Sequence, residues 1–192
     1  MDPLLLGTAS AFGLAAATGL NSTLPLLLVG LAARLGLISL AAPYDAIASP
    51  VALIGLGILA VVEVAADKIP GFDTVLHVVQ GPVTLAAGAI LFASQQSVVQ
   101  DVSPGLAILI GLLTAGGVHS LRALARPVVN VATLGVGGPV LSSFEDVGAA
   151  GLTVLALLFP LAAVVVALLV TLFAARAVVR RFSGRRLPAR AS

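Results

Sequence analysis

Apolar residues fill long runs along this chain, and polar residues gather in the short gaps between them. The first run extends from about Leu4 to Leu20 and stops at Asn21-Ser22-Thr23. A second continues from about Leu24 to Ala41, up to the turn Ala42-Pro43-Tyr44-Asp45. Ser49-Pro50 opens a third, reaching about Ala66, since proline suits the first turn of a helix. The polar elbow Asp67-Lys68-Ile69-Pro70-Gly71-Phe72-Asp73 follows, with Pro70-Gly71 as its breaker. Thr74 to Ser94 predicts a fourth helix, interrupted at Gly81-Pro82, and Gln95 to Ser103 a polar loop. Pro104 to Ala125 predicts a fifth. Beyond Arg126-Pro127, the stretch Val128 to Leu141 carries Asn130, Gly135, Gly137, Gly138 and Pro139 and reads as a weak or re-entrant crossing. A last helix, about Val147 to Val179, exceeds one bilayer thickness and is expected to tilt or kink at Pro160.

Runs of this length match the roughly 20 apolar residues that one bilayer crossing needs. Composition agrees: 59% of the 192 residues are hydrophobic and 9% are charged, with a mean hydropathy of +1.17. Soluble domains carry about 25% charged residues, and a soluble core of this size could not hide so apolar a chain. The expected fold is therefore all-α, a polytopic transmembrane bundle of six or seven segments with Gly/Pro-broken or re-entrant helices. Residues 1–180 form one membrane domain, and 181–192 a basic, disordered tail. Met1-Asp2-Pro3 lacks the positive region of a signal peptide, so the first run is expected to be a retained helix.

Charge adds orientation. Arg176, Arg180, Arg181, Arg185, Arg186 and Arg190 crowd the C-terminal end. Such a segment beside a membrane helix reads as an anchor for anionic lipid headgroups rather than for nucleic acid. By the positive-inside rule it places the C-terminus in the cytoplasm, in a cell inner membrane. Arg122 and Arg126 suit that side, and the loop Gln95 to Ser103, free of Lys and Arg, suits the other. With seven crossings, Asp67 to Asp73 is cytoplasmic and the N-terminus lies outside.

Ionisable groups within apolar runs cost roughly 2.5–3.5 kcal/mol each at a helix centre, so the few present carry the functional signal. Glu63 and Asp67 are four apart and share a helix face, and Lys68 follows at once. Asp73 and His77 are again four apart, and a hairpin hinged at Pro70 and Gly71 would gather all five. The functional reading is a cation or proton site. The plainer one makes Lys68 a neutraliser and Asp73 a helix cap. His119, Arg122 and Arg126 lie at i, i+3 and i+7, a basic stripe that either anchors the cytoplasmic side or faces an anion, whether a phosphate or the pair Glu145 and Asp146. That acidic pair is expected to open the last helix, where a carboxylate suits the dipole. Asn21, Asn130 and Pro139, with Pro70 and Gly71, are the candidate helix breaks. Arg34 is read as snorkelling to the interface.

Weak internal likeness links Gly19-Leu20-Asn21-Ser22 to Gly117-Val118-His119-Ser120, and Ser49-Pro50-Val51 to Gly138-Pro139-Val140. Paired breaks of this kind are a feature of transporters. No HExxH, P-loop, GxGxxG or GxSxG pattern occurs, which leaves the common enzyme classes unsupported. With no cysteine, thiolate chemistry is excluded. No cofactor is expected, and whether the two histidines and the carboxylates bind a metal is open.

Val62-Glu63-Val64-Ala65-Ala66-Asp67-Lys68-Ile69-Pro70-Gly71-Phe72-Asp73, followed by His77 and Gly88-Ala89, resembles the signature of the prokaryotic membrane proteins grouped as DUF4126. The likeness extends over about residues 9 to 180. Gly19-Leu20-Asn21, Ala32-Ala33-Arg34-Leu35-Gly36, His119, Arg122, Asn130 and Ser143-Phe144-Glu145-Asp146 fit the rest of the pattern. Gly81 and Gly135-Val136-Gly137-Gly138 depart from it. The resemblance implies the architecture and the residue set, and no activity. The expected role is a small transporter or permeation protein for an ion or small polar or anionic solute, often oligomeric at this size. A membrane enzyme or lipid-handling protein and a non-catalytic scaffold are the alternatives.

Overall fold

A computed structural model describes residues 2–66, 73–133 and 137–183. These form eight α-helices: α1 Pro3–Leu20, α2 Thr23–Arg34, α3 Pro50–Ala66, α4 Asp73–Ala93, α5 Gln96–Asp101, α6 Pro104–Ala132, α7 Gly137–Leu158 and α8 Pro160–Ser183. A 3-10 turn, Tyr44–Ala48, precedes α3. Among the described residues, four stretches are long and apolar enough to cross a membrane: Pro3–Leu20, Pro104–Arg126, Gly137–Leu158 and Pro160–Ala177. Thr23–Arg34, Pro50–Ala66 and Gln80–Ala93 are shorter apolar helices.

α1 is the central strut, packed against α4, α6, α7 and α8. Its inward face is built from Ala9, Ser10, Ala11, Gly13, Ala15, Ala16, Ala17 and Gly19, with Leu14 as the one large side chain. Between lipid-soluble helices there is little hydrophobic drive to associate, so close backbone approach through small residues supplies the packing. The tightest crossing is between α4 and α6. A β-carbon on Gly111 would stand 2.6 Å from Phe92 Cβ, and one on Gly88 2.8 Å from the Gly111 carbonyl. By contrast α3 and α8 turn mostly exposed apolar faces outward, such as Val51, Ile54, Ile58, Leu168, Leu169 and Phe173.

The two ends of the bundle differ in character. One end gathers the start of α1, the segment after α2, the end of α4, α5 and the start of α6. There Ala41 N donates to the Ser94 carbonyl at 2.8 Å, and Phe92, Ala93, Val98 and Ala107 pack with Ala11 and Ala15. Toward the opposite end lie the α1–α2 break and most of the buried charge.

Several boundaries differ from the sequence reading. The second run ends at Arg34, not Ala41, because Gly36 takes a φ of 73° and closes the helix. Gly36 N donates to Ala33 O and Leu37 N to Ala32 O, both at 3.0 Å, the two bonds of a Schellman stop. Gly81-Pro82 does not interrupt α4, which runs through and forgoes one ladder bond at Pro82. The stretch Val128 to Leu141 is not a crossing of its own. α6 continues past Pro127 to Ala132, α7 starts at Gly137, and Pro139 sits in the first turn of α7, where its missing N–H costs nothing. The single long last helix is two helices separated by Phe159, with Pro160 starting α8. Part of the expected polar loop, Gln96–Asp101, is helical.

Candidate functional site

The break between α1 and α2 organises the buried polar groups. Asn21 has extended backbone (φ −144°, ψ 130°), so the chain leaves α1 there and restarts at Thr23. Its Oδ1 accepts from Thr23 N at 3.0 Å and Leu24 N at 2.9 Å, satisfying two of the donors that a helix start leaves open. Its Nδ2 donates to Asp146 Oδ1 at 2.9 Å, tying the break to α7. One amide thus caps α2 and holds a carboxylate.

Glu63 reaches the same break from α3 and is 5% exposed. Ser22 Oγ donates to its Oε1 at 3.1 Å, Ser22 N approaches the same oxygen at 3.4 Å, and Thr23 Oγ1 donates to Oε2. From α4, Gln80 Nε2 donates to Oε1 at 3.2 Å. A helix N-terminus is an anion site by its free N–H groups and dipole. Here the anion is the protein's own Glu63. All the donors facing Glu63 and Asp146 are neutral, and neither carboxylate is paired with a cation among the described residues. The Gln80 Oε1 atom is buried and accepts no hydrogen bond.

A second group lies on α6 and α7. Arg122 Nε donates to Glu145 Oε2 at 2.8 Å, and Arg126 donates to the same oxygen at 2.5 Å, with all three side chains at most 10% exposed. Of the two readings of the basic stripe, Arg126 follows the one that faces an anion: it is 5% exposed and ion-paired with Glu145. His119 lies one turn earlier on α6, and its Nε2 would be 3.8 Å from a β-carbon on Gly81, which places α4 beside it. Arg34, by contrast, is exposed at the end of α2.

Of the residues singled out in the sequence, Glu63, Asn21 and Asp146 meet around the break, and Arg122 meets Glu145. Glu145 and Asp146 do not act as a pair, because neighbours on a helix point about 100° apart. Nor do they open a helix; they lie well inside α7. Asp67, Lys68, Pro70 and Gly71 lie outside the described residues. So do the side chains of Asp73, His77 and Asn130, whose backbones belong to α4 and α6. Ser22, Thr23 and Gln80 were missed as site residues. The available signal was Gln80 itself, an amide alone in the run Val78-Val79-Gln80 just before Gly81-Pro82.

Chemically, the break offers one carboxylate surrounded by hydroxyl and amide groups, with a second carboxylate one amide away. No three His, Cys, Asp or Glu converge to hold a metal ion among the described residues. Apolar space adjoins the ion-paired group: a cavity of about 420 Å³ between α1, α7 and α8, bordered by Leu20, Phe144, Leu155 and Val170, with Glu145 as its charged wall.

A family description of "Domain of unknown function (DUF4126)" matches residues 8–180. No curated protein and no solved structure matches this chain.

Proposed function

We propose that this chain, which belongs to the DUF4126 family, is a small transport or permeation protein for an ion or small polar solute. The observation that carries the proposal is the pair Glu63 and Asp146, both buried at one helix break and both held by neutral donors. Two carboxylates in an apolar bundle are costly, and such residues usually mark a pathway or relay rather than a packing solution. A broken helix whose ends face the polar groups is the arrangement transporters use for substrate and ion sites.

In this reading α1, α2, α3, α4, α6, α7 and α8 are seven membrane segments, α1 and α2 entering from the outer side and turning back at their break within the bilayer, with the C-terminus cytoplasmic. The arginine-rich end contacts anionic headgroups. At 1.5 Å per residue, Gln80 stands about 10 Å from the start of α4 and Asp146 about 14 Å from the start of α7. The site then lies inside the bilayer, nearer the cytoplasmic face. Reconstitution into proteoliposomes tests the proposal: the intact protein should raise proton or solute flux above empty liposomes, and Asp146→Asn should abolish most of the increase. Flux at background for both proteins would refute it.

The apolar cavity against Glu145 favours one second reading, a lipid-handling or membrane-enzyme role with an acyl chain between α1, α7 and α8. Co-purified lipid that is lost on Gly148→Leu would support that role, with flux at background. A scaffold role would show as lower stability of the Glu63 and Asp146 variants with no flux to lose.

A further inference from the structure

We propose that the α1–α2 break binds a hard monovalent cation of about sodium size, with Glu63 as the charged ligand and Gln80 as a neutral one. This deepens the transport reading and rests on it only for its biological purpose, since binding can be measured without transport.

Four features of the break converge on this ligand. Among the described residues every candidate ligand atom is oxygen: the Glu63 carboxylate, the Ser22 and Thr23 hydroxyls and the Gln80 amide oxygen. Oxygen-only sets suit hard cations, whereas zinc and the later transition metals favour nitrogen and sulfur. The charge count fits as well. One carboxylate with neutral oxygens balances a single positive charge, and Asp146 is held aside by Asn21 Nδ2 at 2.9 Å. A divalent ion would draw on more carboxylates, and no three acidic or imidazole groups converge among the described residues.

The third feature is independent of the acidic group. Gln80 is 6% exposed, and its Oε1 is buried without a hydrogen-bond partner. Its Nε2 is committed to Glu63 Oε1 at 3.2 Å, so the amide cannot be turned over without setting two oxygens against each other. The orphaned oxygen is therefore fixed within one amide group of the carboxylate. A buried acceptor without a partner is destabilising, and a cation shared with Glu63 would satisfy it. Finally, α1 ends at Leu20, so the carbonyls of its last turn lie beyond the helix's own ladder and present the negative end of its dipole to the break. The Ser22 and Thr23 hydroxyls donate to Glu63 and keep their lone pairs for a cation.

The test uses the full chain in detergent, where no gradient exists. Equilibrium binding of radioactive sodium is measured in choline buffer, alongside thermal melts by circular dichroism in sodium, potassium and choline at equal ionic strength. Saturable sodium binding near one ion per chain is expected, with a higher melting temperature in sodium than in choline. Glu63→Gln should abolish binding, and Gln80→Leu should weaken it by about tenfold or more while the protein stays folded. Absence of saturable binding would overturn the proposal. Binding that survives in both variants would also overturn it, as would a melting temperature that responds to pH but equally in sodium and choline. Sodium binding without flux in liposomes would leave this site standing and remove the transport reading; flux without sodium binding would do the reverse.

Discussion

Glu145 and Asp146 are neighbours in sequence with different work. Glu145 Oε2 receives both Arg122 and Arg126, and Asp146 is held by Asn21 on another helix. Removing one member of a buried ion-paired group costs about 3–5 kcal/mol where burial is nearly complete, and less where the remaining charges keep other partners. Glu145→Gln should therefore lower stability by about 3 kcal/mol, read as an earlier denaturation midpoint by circular dichroism in detergent. The same change with no loss of stability would mean that the arginines are satisfied by other groups. Spacing in the sequence was enough to mark Glu63, Arg122 and Asp146 as residues out of place in apolar runs. It could not assign partners, because these form across separations of 125 residues for Asn21–Asp146 and 41 for Ser22–Glu63. Ser22, Thr23 and Gln80 were harder still, since hydroxyls and amides are common in membrane helices and gain meaning only from the carboxylate beside them.

Among the elements, glycine position decides how closely helices approach. α4 and α6 meet where Gly88 and Gly111 leave their backbones bare, and a side chain at 111 would meet Phe92 Cβ and, at 2.9 Å, Ala89 Cα. Overpacking such a contact costs about 1–3 kcal/mol, so Gly111→Val should lower the melting temperature clearly. Gly57→Ala is the control. Nothing lies within 4 Å of a β-carbon there, and its melting temperature should be unchanged or slightly higher. Equal effects at the two positions would contradict the crossing described. Hydropathy located α1 and α3 to within a residue or two, because polar or Ser-Pro punctuation bounds them. It misjudged the end of α2 and the continuity of α4 at Gly81-Pro82, and placed the kink of the last long run at Pro160, where α8 begins. At Gly36 a backbone φ of 73° stops the helix although apolar residues continue, and at Pro82 the helix tolerates a residue that usually breaks it. Phe159 separates two helices with no polar residue beside it, so Pro160 alone marked that junction in the sequence.

For the whole molecule, composition alone indicated a helical membrane protein, while the path of the chain depends on which ends come together. Gly7 lies against Ser97 and Ala41 bonds to Ser94, so the start of α1, the segment after α2 and α5 share one end. If the arginine-rich C-terminus is cytoplasmic, that end faces outward. The chain has no cysteine, so single-cysteine labelling can be done on an otherwise unreactive background. Asp101→Cys should react with a membrane-impermeant maleimide in intact cells, and Ser192→Cys only after permeabilisation; the opposite pattern would invert the topology.

In the proposed function, the carboxylate held at the α1–α2 break serves movement across the membrane rather than helix packing. Flux through proteoliposomes holding equal amounts of folded protein, intact or Glu63→Gln, tests it most directly. Flux well above empty liposomes is expected for the intact chain, with a fall of about tenfold or more when the charge is removed, on the scale of losing a metal ligand's support. Equal flux from both proteins, or none from either, would contradict it.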